Sequence, residues 1–153
     1  MWRTVCRTWF ARVAVIPLCA LMVRAVIAEA VSGTFEQKRV LHDVGVTLKS
    51  SGTWTFEPDR LFVWNTLKPA PSVFAATPTN YSFTVAGKTT SHRLKTQIRD
   101  LAQLFEIKEM REFVEKVEPS RENPVFEADG VTLPSSLKVV FRNGDRLEIT
   151  LSR

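Results

Sequence analysis

Hydrophobic and polar residues alternate along much of the chain after position 30, and this pattern predicts β-strands. In the segment 46–57 every large apolar residue holds an even position, while the odd positions are polar or charged. A two-residue period is typical of a strand that buries one face in an antiparallel sheet. The alternation resumes over 61–67 after Pro58-Asp59, so a hairpin is predicted with Arg60 near its tip. Further strands are predicted at 33–41, 72–76, 81–86 and 88–94.

A helical period replaces the alternation between Thr96 and Val117. Apolar residues recur three and four positions apart, and the positions between them are rich in Glu, Lys and Arg. This spacing predicts two short helices, or one kinked helix, with an apolar face. The charged face is expected to be solvated and includes a Glu112–Lys116 pair in the favourable i,i+4 order. An interaction surface is the alternative interpretation of that face.

Two alternating segments near the C-terminus flank Asn143-Gly144 and predict a second hairpin. A two-residue turn would place each apolar side chain opposite a charged one, which is unfavourable. A three-residue loop over 142–144, with Gly144 in the left-handed region, pairs apolar residues such as Val139 and Leu147 with each other. The three-residue loop is therefore predicted.

The first 30 residues have the three parts of a secretory signal. Arginines precede an apolar run over 13–23, and Ala28-Glu29-Ala30 provides the small residues at which a signal peptidase cuts. The apolar run is shorter than the roughly 20 residues that a transmembrane helix needs. Cleavage after Ala30 is predicted, which makes 1–30 a signal peptide and 31–153 a single exported domain. Arg24 follows the apolar run and leaves an uncleaved N-terminal anchor as the alternative.

Composition changes the picture once this leader is set apart. The chain has 153 residues, of which 44% are hydrophobic and 24% charged, and its formal net charge is +5. Without the leader's four arginines and one glutamate the net charge falls to +2, which does not favour binding to nucleic acid. Both cysteines belong to the leader, so the body cannot use a disulfide, a thiolate nucleophile or a cysteine-bound metal.

Sequence motifs for catalysis or metal binding are weak. His42 and His92 lie far apart without cysteines or carboxylates at ligand spacing, and no nucleophile elbow or glycine-rich phosphate loop is present. We therefore expect no enzyme, no metal and no cofactor. Large aromatic residues are instead concentrated within 54–83, on strands whose other faces are polar. They are predicted to form either a plain hydrophobic core or the lining of a cavity for an apolar ligand.

Four sequence pieces follow one another in the first half of the body. They are a Phe-x-Gln strand at 33–38, a Gly-led aromatic strand at 50–56, a Pro-x-x-Leu-x-x-Trp hairpin at 58–64 and a Pro-containing segment at 68–72. In this order they resemble the outer-membrane lipoprotein carrier family, LolA-like. The resemblance implies an α+β fold, in which a strongly curved antiparallel sheet, a half-open barrel, is closed by short helices.

The same resemblance implies a function. Members of the family carry the acyl chains of lipoproteins through the periplasm, taking them from an inner-membrane ABC transporter and passing them to an outer-membrane acceptor. The protein is expected to act as a monomer. Arg60 is the candidate handover residue, although the family often has a basic residue just before the hairpin proline, where this chain has Glu57. The expected apolar ligand-binding residues are Trp54, Phe56, Phe62, Trp64, Phe74, Tyr81, Phe83, Leu101 and Phe105.

A second hypothesis needs no ligand. The same aromatic residues would form a filled core, and the protein would be a non-enzymatic structural or interaction domain in the periplasm, tethered to the membrane by its uncleaved leader.

Overall fold

Antiparallel β-strands dominate the structure, a computed structural model that describes residues 29–94, 101–128 and 130–153. Helical structure among these residues is confined to a 3₁₀ helix, Ala102–Glu106, and a single α-helical turn, α1 (Lys108–Arg111). None of the described helices is long and apolar enough to cross a bilayer. The strands are β1 (Val31–Leu41), β2 (Val46–Glu57), β3 (Leu61–Lys68), β4 (Ser72–Ala76), β5 (Asn80–Val85), β6 (Lys88–Arg93), β7 (Val114–Pro119), β8 (Phe126–Ala128), β9 (Val131–Leu133), β10 (Ser136–Phe141) and β11 (Arg146–Ser152).

Nine of these strands form one sheet in the order β6-β5-β4-β3-β2-β1-β11-β10-β7. The first six follow one another as a meander, because short turns connect antiparallel neighbours. The last strand, β11, returns to pair with β1, from Thr34 opposite Ser152 to Val40 opposite Arg146. Among the described residues the sheet therefore has two edges, β6 and β7, and does not close into a barrel. β8 and β9 form a separate two-stranded hairpin.

The expected α+β fold, with a half-open barrel closed by short helices, is wrong. Within the segment predicted as helical, 101–111 contains the 3₁₀ helix and α1, and Val114–Pro119 is the strand β7. Residues 96–100 of that prediction lie outside the described part of the chain. The antiparallel sheet was predicted from alternation, but the helices that should have closed it are replaced by one short 3₁₀ helix, one helical turn and a β-hairpin.

A β-bulge explains why β7 has a helix-like spacing. Val114 pairs with Phe141 and Lys116 pairs with Val140, so β7 has one extra residue at this point. An extra residue shifts the alternation by one position. Val114 and Val117 are consequently both half-buried although they are three positions apart. β-branched valines also favour a strand over a helix.

The predicted three-residue loop of the C-terminal hairpin is confirmed. Val139 pairs with Leu147, and Leu137 pairs with Ile149. The backbone N–H of Gly144 donates to the carbonyl of Phe141 over 2.9 Å. Gly144 has a φ of 88°, the left-handed conformation that such a loop requires.

The hydrophobic core lies on one face of the nine-stranded sheet, which we call the covered face. Phe35 of β1 and Leu151 of β11 are directly paired on this face and are both buried. The 3₁₀ region contributes Leu101 and Phe105 to the same cluster, and the β8–β9 hairpin contributes Val131 and Leu133. Burial of apolar area at about 25 cal/mol per Å² is the main stabilising contribution of this arrangement.

Candidate functional site: an aromatic face of the sheet

The predicted aromatic residues of β2 to β5 lie on the covered face in two neighbouring rows across the strands. Directly opposed residues of an antiparallel pair point to the same side of a sheet, so the strand register fixes their arrangement. The first row, which we call the aromatic row, consists of Trp54, Trp64, Phe74 and Phe83, each opposite the next. The second row consists of Phe56, Phe62, Ala76 and Tyr81.

Ring contacts connect these rows to aromatic residues that the sequence did not assign to the site. Phe35 of β1 stacks on Trp64 with ring centroids 3.8 Å apart and planes inclined by 24°. Phe126 of β8 meets Phe56 edge-on at 5.7 Å. The Phe-x-Gln motif was a signal for Phe35, because Phe35 has the parity of the buried face of β1. Phe126 gave no such signal, since the β8–β9 hairpin was not predicted.

Burial decreases along the aromatic row from the centre of the sheet toward the β6 edge. Trp54 is 1% exposed, Trp64 and Phe74 are half-buried, and Phe83 is 44% exposed. Val85 lies two residues beyond Phe83 on the same face and is also exposed. With strands about 4.8 Å apart, this gradient extends over about 14 Å. The row therefore has a filled inner end and an open outer end.

The inner end of the row is fixed by contacts that leave no room for a ligand. The indole Nε1–H of Trp54 donates to the carbonyl of Thr34 over 3.1 Å. Gly33 is opposite Trp54, and a Cβ at this position would lie 2.9 Å from Trp54 Cζ2 and would collide with the carbonyl of Ser152. Trp54 is therefore a core residue of the sheet.

Leu101 and Phe105, which are also among the expected ligand-binding residues, belong to the same core cluster as Trp54. Arg60, the candidate handover residue, lies in the β2–β3 turn with a largely exposed side chain, 3.7 Å from the Glu57 carboxylate. The turn connects the strands next to Phe56 and Phe62 of the second row. Arg60 takes part in no ring contact of the described aromatic residues. The structure thus brings together the apolar candidates but leaves Arg60 at the periphery.

A buried carboxylate on the opposite end of the sheet was not predicted from the sequence. Asp145 is 5% exposed, and its Oδ2 lies 2.7 Å from Nη2 of Arg39. Its Oδ1 accepts the backbone N–H of His42 over 2.9 Å. The His42 hydrogen bond and then the Arg39 guanidinium hold the pKa of Asp145 below its ordinary value. Asp145 therefore connects the β1–β2 turn to the β10–β11 loop.

Neither histidine is part of a described metal site. His92 of the edge strand β6 stacks on Tyr81 at 5.1 Å. Over the described residues, no group of three or more His, Cys, Asp or Glu side chains is placed to hold a metal ion. A surface pocket of about 260 Å³ opens near Ala102, Pro119 and Pro134, and no aromatic residue lines it.

In comparisons with known proteins, no protein-family model and no curated protein matches the chain. The family resemblance therefore rests on the motifs within 33–72 alone.

Proposed function

We propose that the body of the chain binds the acyl chains of a lipoprotein, or of another lipid, at the open end of the aromatic row. The observation that carries this proposal is the burial gradient from Trp54 to Phe83. A half-covered aromatic surface continuous with a core can take up an apolar chain without unpaired backbone groups, because the sheet has already satisfied them. Core packing alone does not require large apolar residues such as Phe83 and Val85 to remain exposed on the covered face.

The expected affinity suits a carrier, which must hold its cargo and also release it. Each buried methylene contributes about 0.8 kcal/mol, so six methylenes laid on Phe83, Phe74 and Val85 would contribute about 5 kcal/mol before the costs of immobilisation. Binding at this open end would be reversible. No bond is made or broken, so the carrier function needs no catalytic group.

The resemblance at 33–72 supplies the rest of the proposal. The protein would act in the periplasm as a monomer after removal of the leader, receiving cargo from an inner-membrane ABC transporter and delivering it to an outer-membrane acceptor. Arg60 would contribute to handover from its exposed position in the β2–β3 turn.

A specific observation favours a second candidate function. Trp54, Phe56 and Phe62 are almost fully buried, in one cluster with the fully buried Leu101 and Leu133, so the centre of the covered face is a filled core. A structural or interaction domain tethered by its leader would have this core and would bind no lipid. The two functions differ in whether the open end of the row binds lipid and in whether the leader is retained.

Titration of the full-length chain with a fluorescent fatty-acid analogue distinguishes the two candidates. We expect saturable binding, weakened at least tenfold by Phe83→Glu, because this substitution places a charge where the chain would lie. The matched control is Val40→Glu, since Val40 is 41% exposed on the opposite face of the sheet. The apolar leader is common to all three proteins, so only the difference between them is assigned to the row.

The decisive result is the comparison of the two glutamate variants, each checked for native circular dichroism. Equal binding by Phe83→Glu and the parent chain, or no saturable binding by the folded parent, would contradict the carrier function and leave the structural domain. Trp64→Glu is a poorer test, because Trp64 stacks on Phe35 and its loss would disturb the core.

A further inference from the structure

The β1–β2 hairpin extends beyond its neighbour β3 in the sheet. Pairing between β2 and β3 begins at Ser51 opposite Lys68, so residues 46–50 of β2 pair only with β1 among the described strands. Five residues at about 3.3 Å each make an overhang of about 16 Å beyond β3. On the other side β11 pairs with β1 as far as Val40. The β10–β11 loop reaches the β1–β2 turn itself, since Asp145 accepts the N–H of His42. The end of the hairpin therefore protrudes past β3 but not past β11.

Apolar side chains occupy this protruding end, where a hairpin usually has polar ones. Val44 in the turn is 66% exposed, and Val46 and Leu48 are each about half exposed. We call these three residues the apolar tip. Several large apolar residues exposed together usually mark an interaction surface.

Basic residues lie behind the apolar tip along the hairpin, on the opposite face from Val46 and Leu48. Lys38 is directly opposite Lys49 in the hairpin ladder, and Lys49 is three residues, or about 10 Å, behind Val46. Lys38 also faces Glu148, and Asp43 is the carboxylate of the turn itself. The carboxylate of Asp145 is already occupied by Arg39, so it does not neutralise these lysines.

We propose that the apolar tip docks into the surface of a lipid bilayer that contains anionic headgroups. Interfacial segments bury apolar side chains about 5–10 Å below the headgroups, which places Lys38 and Lys49 at the level of the lipid phosphates. This docking does not rest on the carrier function, because none of its residues belongs to the aromatic row. It would bring the domain to a membrane independently of the leader.

Size and charge favour a bilayer over a protein partner. A stable protein interface usually involves about 20–30 residues on each side, far more than the three of the apolar tip. A second copy of the chain would bring the lysines of two hairpins together, which is unfavourable. A bilayer needs only a few inserted side chains and complements the basic residues.

Hydrogen exchange of the full-length chain tests the proposal at the hairpin itself. With vesicles of phosphatidylcholine and phosphatidylglycerol, we expect exchange over 42–48 to slow about tenfold, with a smaller effect for phosphatidylcholine alone and at high salt. The β5–β6 turn should be unaffected. Because protection is read residue by residue, binding of the leader to the vesicles does not mimic the result.

Two matched variants complete the test. Leu48 and Leu67 are both 51% exposed, but Leu67 lies in β3 outside the apolar tip. Leu48→Asp should abolish the protection, and Leu67→Asp and Phe83→Glu should retain it. Equal protection by neutral and anionic vesicles, or in Leu48→Asp, would overturn the proposal. Protection that needs no vesicles and rises with protein concentration would show a second copy as the occupant instead.

Discussion

Gly52 lies at the bulge where β2 and β3 change register, and the structure leaves no space for a side chain there. A Cβ at this position would collide with the backbone carbonyl of Asn65 and would lie 2.9 Å from Cε1 of Phe35. Neither atom can move freely, because the carbonyl belongs to the sheet backbone and the Phe35 ring stacks on Trp64. Overpacking of a core typically costs about 1–3 kcal/mol, and we expect Gly52→Ala to lower the free energy of unfolding by about 2–3 kcal/mol.

A loss of this size should be easy to measure by thermal and urea unfolding, followed by circular dichroism. For a domain of this length, 1 kcal/mol changes Tm by about 3–5 °C, so Gly52→Ala should melt roughly 6–15 °C below the parent chain. Thr53→Ala is the control, because Thr53 is exposed on the opposite face of β2, and it should change stability by less than about 0.5 kcal/mol. A Gly52→Ala variant as stable as the parent would refute the close packing of β2, β3 and Phe35.

Two further predictions concern the end of the sheet that Asp145 holds together. Folding lowers the pKa of Asp145, so its contribution to stability is complete above the pKa of the unfolded chain and is lost as the pH falls through the folded value. Asp145→Asn should therefore lower the urea midpoint at pH 7, and its difference from the parent should shrink in acid; a difference that grows in acid would contradict the ion pair with Arg39. Gly144→Ala should lower the free energy of unfolding by about 1–2 kcal/mol, because alanine is strained in the left-handed backbone conformation. The loss should be larger still, since the added Cβ would lie 2.8 Å from Cγ of His42. An unchanged melting temperature for that variant would argue against the three-residue loop.

Alternation was a reliable guide to the sheet because each strand buries one face. It located β2 and β3 and the hairpin between them, and in the C-terminal hairpin it even fixed the register of Val139 with Leu147. It failed at β7, where a bulge gives the valines a spacing that also fits a helix. A bulge depends on the partner strand, and a single segment of sequence carries no information about its partner.

The candidate site was predicted as a set of residues but not as an arrangement. Parity placed the aromatic residues on one face, and the structure confirms that they share it. Which of them are open depends on what covers them, and that cover comes from the 3₁₀ region and from β8 and β9. The Arg39–Asp145 pair was equally invisible, because its members are 106 positions apart in the chain.

The pairing of β11 with β1 has a consequence for how the chain folds. Thr34 is opposite Ser152, so the first and the last of the described strands in chain order are direct neighbours inside the sheet. Contacts between such distant residues form slowly, since a long loop must close before they contribute. The hairpins on either side can form early from local contacts, but β1 keeps an unpaired edge until β11 pairs with it. Loss of β11 would thus separate the six strands from β6 to β1 from β10 and β7, rather than shorten an edge of the sheet.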